Sequence, residues 1–287
     1  MPEFPGLLTF EFWREHYRAA LYATLAFIGF LLFLTATFPY QAAFQSALNP
    51  LGLRLFSSGQ GVALPIGANL YDVRLIDPHA ASGRPLLESP QVRVAPALGE
   101  MLLLRAAVEI STALYNGDVN LRVWRSGRKT AVSFDASAVD LAVARLDTLL
   151  GAAVGGMLTA SGDMRIDPAL LLNDSGSIEF AIKDASLRIA MGMAPLNLGE
   201  VTGKLKLDRG TLEIVDLKSQ GGDLEIAGGG DIRAAGDLMD SALDLKFSLN
   251  ATPDARQRLG ALLNLLPHPP GEQPYQLGGT VSAPSLS

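Results

Sequence analysis

The densest group of chemically reactive side chains is a run of nine carboxylates in the last third of the chain. Paired carboxylates can bind calcium or carry out acid–base chemistry. Their spacing matches no EF-hand loop, and most of them alternate with apolar residues, which is typical of the wet face of strands or of turns. We therefore expect a solvated polar face, with a divalent-cation site as the alternative. The carboxylates are Asp208, Glu213, Asp216, Asp223, Glu225, Asp231, Asp237, Asp240 and Asp244.

Nucleophiles and their partners are sparse. The chain has no cysteine, no G-x-S-x-G sequence and no P-loop, and its three histidines, at 16, 79 and 268, lie far apart. A serine nucleophile needs a histidine base nearby. The run Gly228 to Gly230 precedes a strand pattern and not a helix, which indicates a bend or a bulge and not a nucleotide loop. We predict that the protein is not an enzyme and has no catalytic, cofactor-binding or metal-binding residues.

The charge balance argues against a nucleic-acid partner. With 23 basic and 29 acidic residues, the formal net charge is −6, and no basic stripe is present. Phosphate neutralisation requires clustered Lys and Arg. The absence of cysteine also fits a compartment that oxidises thiols.

Residues 19–38 are uncharged and long enough to cross the roughly 30 Å hydrocarbon layer of a bilayer as a helix. The stretch exceeds the apolar core of a cleaved signal peptide, and Pro39 ends it. We predict an uncleaved transmembrane anchor, with a cleaved signal as the alternative. Its principal apolar residues are Ala19, Leu21, Leu25, Phe27, Ile28, Phe30, Leu31, Leu32, Phe33, Leu34 and Phe38.

The flanking charges predict the orientation of this anchor. Arg14 and Arg18 precede it, and no basic residue follows until Arg54. The positive-inside rule then predicts a cytoplasmic tail over 1–18 and an exported domain over 39–287.

The exported part alternates apolar and polar residues, a period of two that predicts strands with one apolar face. Segments 72–76, 91–94, 107–114, 119–124, 178–183, 201–207, 223–226, 243–250 and 275–281 are predicted strands. Asn116-Gly117 predicts a tight hairpin between two of them. The predicted apolar sheet face comprises Ile178, Phe180, Ile182, Leu205, Leu207, Leu224, Ile226, Leu243, Leu245, Phe247 and Leu249.

The fold class that follows is mainly β. Strands recur every ten to fourteen residues, with predicted joints at 208–210, 220–222 and 228–230, which leaves no room for crossover helices and favours antiparallel pairing. Short helices are predicted over Pro96–Leu104, Asp140–Leu150 and Asp254–Leu266. Because few residues remain to cover the apolar face, we expect a curved sheet, either an open trough or a flattened barrel.

The segment order resembles two families of envelope proteins. "GVALPIGANLYDVRLIDP" followed by "GRPLLESPQVRVAPALGEMLLLRAAVEISTALYNGDVNLRV" resembles the AsmA-like proteins. The sequence "TFPY" at the end of the predicted anchor and the C-terminal sequence "LLPHPPGEQPYQLGGTVSAPSL" resemble the type II secretion system protein N (GspN-like) family. The resemblance implies an anchor in the bacterial inner membrane and a periplasmic β-domain that assists type II secretion through contacts with envelope or secretion-system proteins. The AsmA-like alternative implies a groove that binds or transfers phospholipid.

The Pro-rich stretch 267–274 leaves two interpretations open. It is either a linker that delivers the chain to its last strand or a rigid element, containing His268, that docks a partner protein.

Overall fold

The computed structural model describes residues 54–63, 66–76, 85–97, 107–126, 129–144, 152–166, 174–188, 195–233, 241–263, 266–271, 273–280 and 282–287, and nine positions between 21 and 45. Those nine positions are helical. Among the residues described, no helix is both long and apolar enough to cross a membrane. The predicted tail 1–18, with Arg14 and Arg18, lies outside the described residues, as does most of the predicted anchor: Ala19, Phe27, Ile28, Leu31, Leu32, Leu34 and Phe38.

One open antiparallel sheet of fifteen strands makes up most of the described chain, which confirms the mainly β prediction. Neighbours in sequence are neighbours in the sheet, except that β1 and β2 both pair with β3. The outermost described strands do not pair with each other, so the flattened barrel is not the arrangement found here. The strands are β1 (Arg54–Phe56), β2 (Gly59–Val62), β3 (Ala68–Ile76), β4 (Pro85–Pro96), β5 (Ala107–Leu114), β6 (Gly117–Ser126), β7 (Lys129–Asp140), β8 (Ala153–Ile166), β9 (Ser175–Arg188), β10 (Leu196–Asp208), β11 (Thr211–Gln220), β12 (Leu224–Arg233), β13 (Ala242–Ala251), β14 (Tyr275–Gly279) and β15 (Pro284–Leu286).

The predicted hairpin joins β5 to β6. Leu114 pairs with Gly117, and the two residues between them, Tyr115 and Asn116, have φ of 49° and 65°. Two successive left-handed residues match the right-handed twist of the flanking strands. The predicted hairpin is confirmed, but its turn residues are Tyr115 and Asn116, because Gly117 already belongs to β6.

Two short helices are described, α1 (Leu141–Ala144) and α2 (Pro253–Leu263). The helix predicted from Pro96 is wrong at its start, because β4 runs through that residue; the remainder, 98–104, lies outside the described residues. Asp140 belongs to β7, and its side chain accepts a hydrogen bond from the Ala142 amide at 3.0 Å. The helix predicted over Asp254–Leu266 is confirmed as α2, but it ends at Leu263.

A buried cluster forms where α2 packs on one end of the sheet. Ala255, which is fully buried, contacts Leu196, Leu224 and Ala251. Thr252 caps the helix, since its hydroxyl accepts from the Ala255 amide. An ion pair between Arg258 of α2 and Asp223 fastens the helix to the β11–β12 turn. A second cluster, of Leu70, Val73 and Val94, lies near the opposite edge of the sheet.

A line of left-handed residues crosses four neighbouring strands. Ala138 in β7, Gly156 in β8, Asp184 in β9 and Gly199 in β10 all have positive φ. The register shifts close to each of them. A bulge inserts an unpaired residue and bends its strand. The four bulges lie side by side in neighbouring strands.

The glycine run 228–230 lies inside β12, so the predicted joint at that position is wrong. Gly228 pairs with Phe247 and Gly230 with Leu245. An added Cβ on Gly228 would lie 2.6 Å from the Phe247 Cβ. The glycines leave room for the large side chains of the next strand, which is why a run that usually marks a turn stays extended here.

Candidate functional site

The register of the strands brings apolar side chains from many strands onto one side of the sheet, which we call the apolar face. Residues directly paired across antiparallel strands lie on the same side of the sheet. One continuous row of such pairs crosses twelve strands and contains only apolar residues and glycine. The row is Ala68, Val94, Ile110, Leu121, Phe134, Gly162, Ile178, Leu205, Ile214, Gly230, Leu245 and Leu277.

Parallel rows extend this surface along the strands. On one side, Leu207 pairs with Leu212, which pairs with Ile232. On the other, Phe180 pairs with Gly203. The register places every residue of the predicted apolar sheet face on this one side: Ile178, Phe180, Ile182, Leu205, Leu207, Leu224, Ile226, Leu243, Leu245, Phe247 and Leu249.

Most of this face is only partly buried. Among the predicted residues, Leu224 lies in the cluster beneath α2 and is 7% exposed, whereas Ile178, Leu205 and Leu245 keep an intermediate exposure. Among the described residues, no second layer of strands or helices covers the centre of the sheet. A conventional domain buries such a face against another layer.

Aromatic rings lie over glycines on the apolar face. A Cβ added to Gly203 would lie 2.4 Å from the ring of Phe180, and one added to Gly162 would lie 2.7 Å from Phe134. Near β14, the rings of Phe247 and Tyr275 stack with centroids 5.5 Å apart. In these places the rings occupy the space beside the glycines, which keeps the apolar surface continuous.

The opposite side, which we call the polar face, carries cross-strand ion pairs. Arg122 contacts Glu109 at 2.9 Å, and Lys204 pairs with Glu179. Some residues of the acidic run form other ion pairs; for example, Asp216 pairs with Lys218 of the same strand at 2.8 Å. In the part of the chain that the structure describes, no group of three or more potential ligands could hold a metal ion. Asp208, Glu213, Asp216, Glu225 and Asp244 are exposed, as the solvated-face interpretation expects, whereas Asp237 and Asp240 lie outside the described residues.

The proline-rich stretch folds back on the sheet. The ring of His268 stacks on that of Tyr275 with centroids 4.1 Å apart, and the Tyr275 hydroxyl donates to the His268 carbonyl oxygen at 2.7 Å. Tyr275 is 1% exposed. These contacts favour the linker interpretation over the docking element.

Part of the apolar face was not predicted from the sequence. Ile110, Leu121 and Phe134 extend it to β5, β6 and β7, and Ile214 extends it to β11. The alternation of Val132, Phe134 and Ala136 was a usable signal for β7. In β11 the bulge near Val215 interrupts the alternation, so no simple period of two marks that strand.

Neither a protein-family model nor a curated protein nor a solved structure matches this chain.

Proposed function

We propose that this protein is a membrane-anchored protein of the bacterial envelope whose sheet binds the acyl chains of lipids on its apolar face. The observation that supports this proposal most strongly is a broad apolar sheet surface that no described element covers at its centre. In this proposal the sheet is an open trough with the apolar face inside. The apolar side chains are mostly half-buried and the charged ones opposite are mostly exposed, a difference that fits a trough with the apolar face inside.

Acyl chains suit this surface because its rows contain almost no hydrogen-bonding side chains. Each methylene that leaves water contributes about 0.8 kcal/mol, so a chain of ordinary length would bind appreciably even if only partly covered. Partly exposed rings, such as Phe134 and Phe180 above their glycines, add apolar contact area without polar groups. A peptide would leave backbone polar groups unpaired on such a surface.

The anchor forms the second part of the proposal. The described positions of the predicted anchor are helical, and their large apolar side chains are more than half exposed, which suits contact with lipid: Leu21, Tyr22, Leu25, Phe30 and Phe33. We infer a single span over 19–38 in the inner membrane. Residues 1–18 are then cytoplasmic, and 39–287 form one periplasmic domain next to a lipid source.

The first test is the lipid content of the full-length protein. After extraction in a mild detergent and extensive washing, we expect mass spectrometry to find phospholipid at a fixed ratio to protein. A single-span control protein, solubilised and washed in the same way, sets the background level of retained lipid. Lipid at or below that background would contradict the proposal.

The second candidate function is an accessory role in type II secretion through protein contacts, as the GspN-like resemblance implies. The observation that favours it is that the sheet has open edges, and all three residues of β15 are exposed. An exposed edge can accept a strand from a partner. The shortness of β15 and its Pro284 limit that pairing.

Gene deletion separates the two candidates in a host that carries this gene. If the secretion role is right, secreted proteins disappear from the medium while the outer membrane stays tight. If lipid binding is the main role, secretion continues and the envelope becomes leaky to detergents and large antibiotics. Complementation with the wild-type gene controls for polar effects on neighbouring genes.

A further inference from the structure

A groove lies on the polar face, on the opposite side of the sheet from the apolar face. It has a volume of about 670 Å³ and crosses β6 to β11. A second hollow of about 460 Å³ continues it toward β12, and the two share Lys206 and Glu213. The result is an elongated depression. The side chains central to it are Trp124, Asp163, Arg165, Ser177, Lys206 and Glu213.

Four of the five charged groups that line the groove take part in no internal contact among the described residues, whereas the fifth, Lys204, pairs with Glu179. Elsewhere on the same face, opposite charges on adjacent strands form ion pairs, as Arg122 does with Glu109. Lys206 is directly paired with Glu213 across β10 and β11. Neither these two side chains nor Asp163 and Arg165 form a hydrogen bond or an ion pair with another described residue. Their donors and acceptors are therefore open to a ligand.

Trp124 provides an aromatic surface at one end of the groove. Its directly paired neighbours are Ala107 and Ala131, whose side chains are too small to cover the indole. Both alanines lie on the polar face and are nearly buried, at 4% and 2% exposure. Trp124, in contrast, keeps part of its surface accessible. An accessible indole beside polar groups offers both an apolar plane and a donor.

We propose that this groove binds a neutral oligosaccharide. The charged side chains that line the groove and the second hollow, four acidic and four basic, sum to zero, which fits an uncharged ligand better than a polyanion. Carboxylates accept hydrogen bonds from sugar hydroxyls, Arg and Lys donate to them, and Ser177 can do either. The indole stacks on the apolar face of a sugar ring. The elongated shape suits a chain of rings, and the site is independent of lipid binding.

Fluorescence tests the proposal at a single site. The chain has two tryptophans, so Trp13→Phe leaves Trp124 as the only one. The full-length variant in detergent is titrated separately with chitohexaose, cellohexaose and maltohexaose. We expect a saturable change in Trp124 emission with at least one hexasaccharide, at a dissociation constant below about 1 mM. No saturable change with any of the three would overturn the proposal.

Side-chain variants test the assignment of the groove. In the Trp13→Phe background, Asp163→Asn and Glu213→Gln should each weaken binding at least tenfold, because an amide replaces a charged acceptor. Glu225→Gln removes an exposed carboxylate outside the groove and should leave affinity unchanged. Equal affinity in all three variants, or tighter binding of dextran sulfate than of the hexasaccharide, would overturn the assignment. Circular dichroism confirms that each variant is folded.

Discussion

Replacing Ile178 by glutamate is expected to abolish lipid retention while leaving the protein folded. Ile178 lies in the middle row of the apolar face and is partly exposed, so the carboxylate can reach water and the cost in unfolding free energy should be about 1–2 kcal/mol. A charge in the path of an acyl chain must be desolvated when lipid binds. We expect at least a tenfold drop in phospholipid per protein, measured by mass spectrometry.

Two controls make this result interpretable. Leu224→Glu puts the same charge into the cluster beneath α2, where the residue is 7% exposed, and should cost more than about 4 kcal/mol and unfold the protein. Thr159→Glu adds the charge to the polar face of β8 and should retain lipid. If Ile178→Glu unfolds as Leu224→Glu does, the centre of the face is a covered core. If it retains lipid as Thr159→Glu does, the chains bind elsewhere.

Gly199→Ala is expected to be among the most destabilising single-methyl additions in this chain. Gly199 has φ of 68°, and an added Cβ would lie 2.1 Å from the Gln220 carbonyl oxygen on the neighbouring strand. The backbone cannot relieve that clash without breaking the pairing beside α2. The loss should exceed about 3 kcal/mol, because backbone strain and close approach act together.

Gly221→Ala separates these two contributions. Gly221 has φ of 76°, but nothing lies within 4 Å of an added Cβ. It therefore carries only the left-handed strain, about 1–2 kcal/mol. Urea unfolding of the full-length variants, followed by circular dichroism, should rank Gly199→Ala well below Gly221→Ala. Equal losses would mean that β10 and the β11–β12 turn do not approach as closely as the structure has them.

Local patterns in the sequence predicted the strands that follow a strict period of two. The alternation around Ile178, Leu205 and Leu245 fixes both the strand and the apolar side, because side chains in a strand alternate by geometry alone. The Asn116-Gly117 pair predicted its turn for the same kind of reason. Patterns that span only a few residues were therefore sufficient to predict much of the apolar face.

Other features depend on contacts between distant parts of the chain. Ala138 adopts a left-handed conformation that alanine disfavours, and Asp184, whose residue type tolerates it, does so inside a strand; the line of bulges across four strands explains both. Gly228 to Gly230 stay extended because Leu245 and Phe247 occupy the space beside them. Whether the sheet closes also depends on its two edges, which no local pattern describes.

The most direct test of the account is to map where a lipid chain contacts the protein. Intact cells expressing the full-length protein are fed a fatty acid that carries a diazirine near the end of its chain. The cells are then irradiated, and the crosslinked peptides are identified by mass spectrometry. We expect crosslinks to apolar-face residues such as Phe180, Leu205 and Leu245, and none to their polar-face neighbours Glu179, Lys204 and Asp244. Crosslinks confined to the predicted anchor, or distributed equally over both faces, would contradict acyl-chain binding on the apolar face.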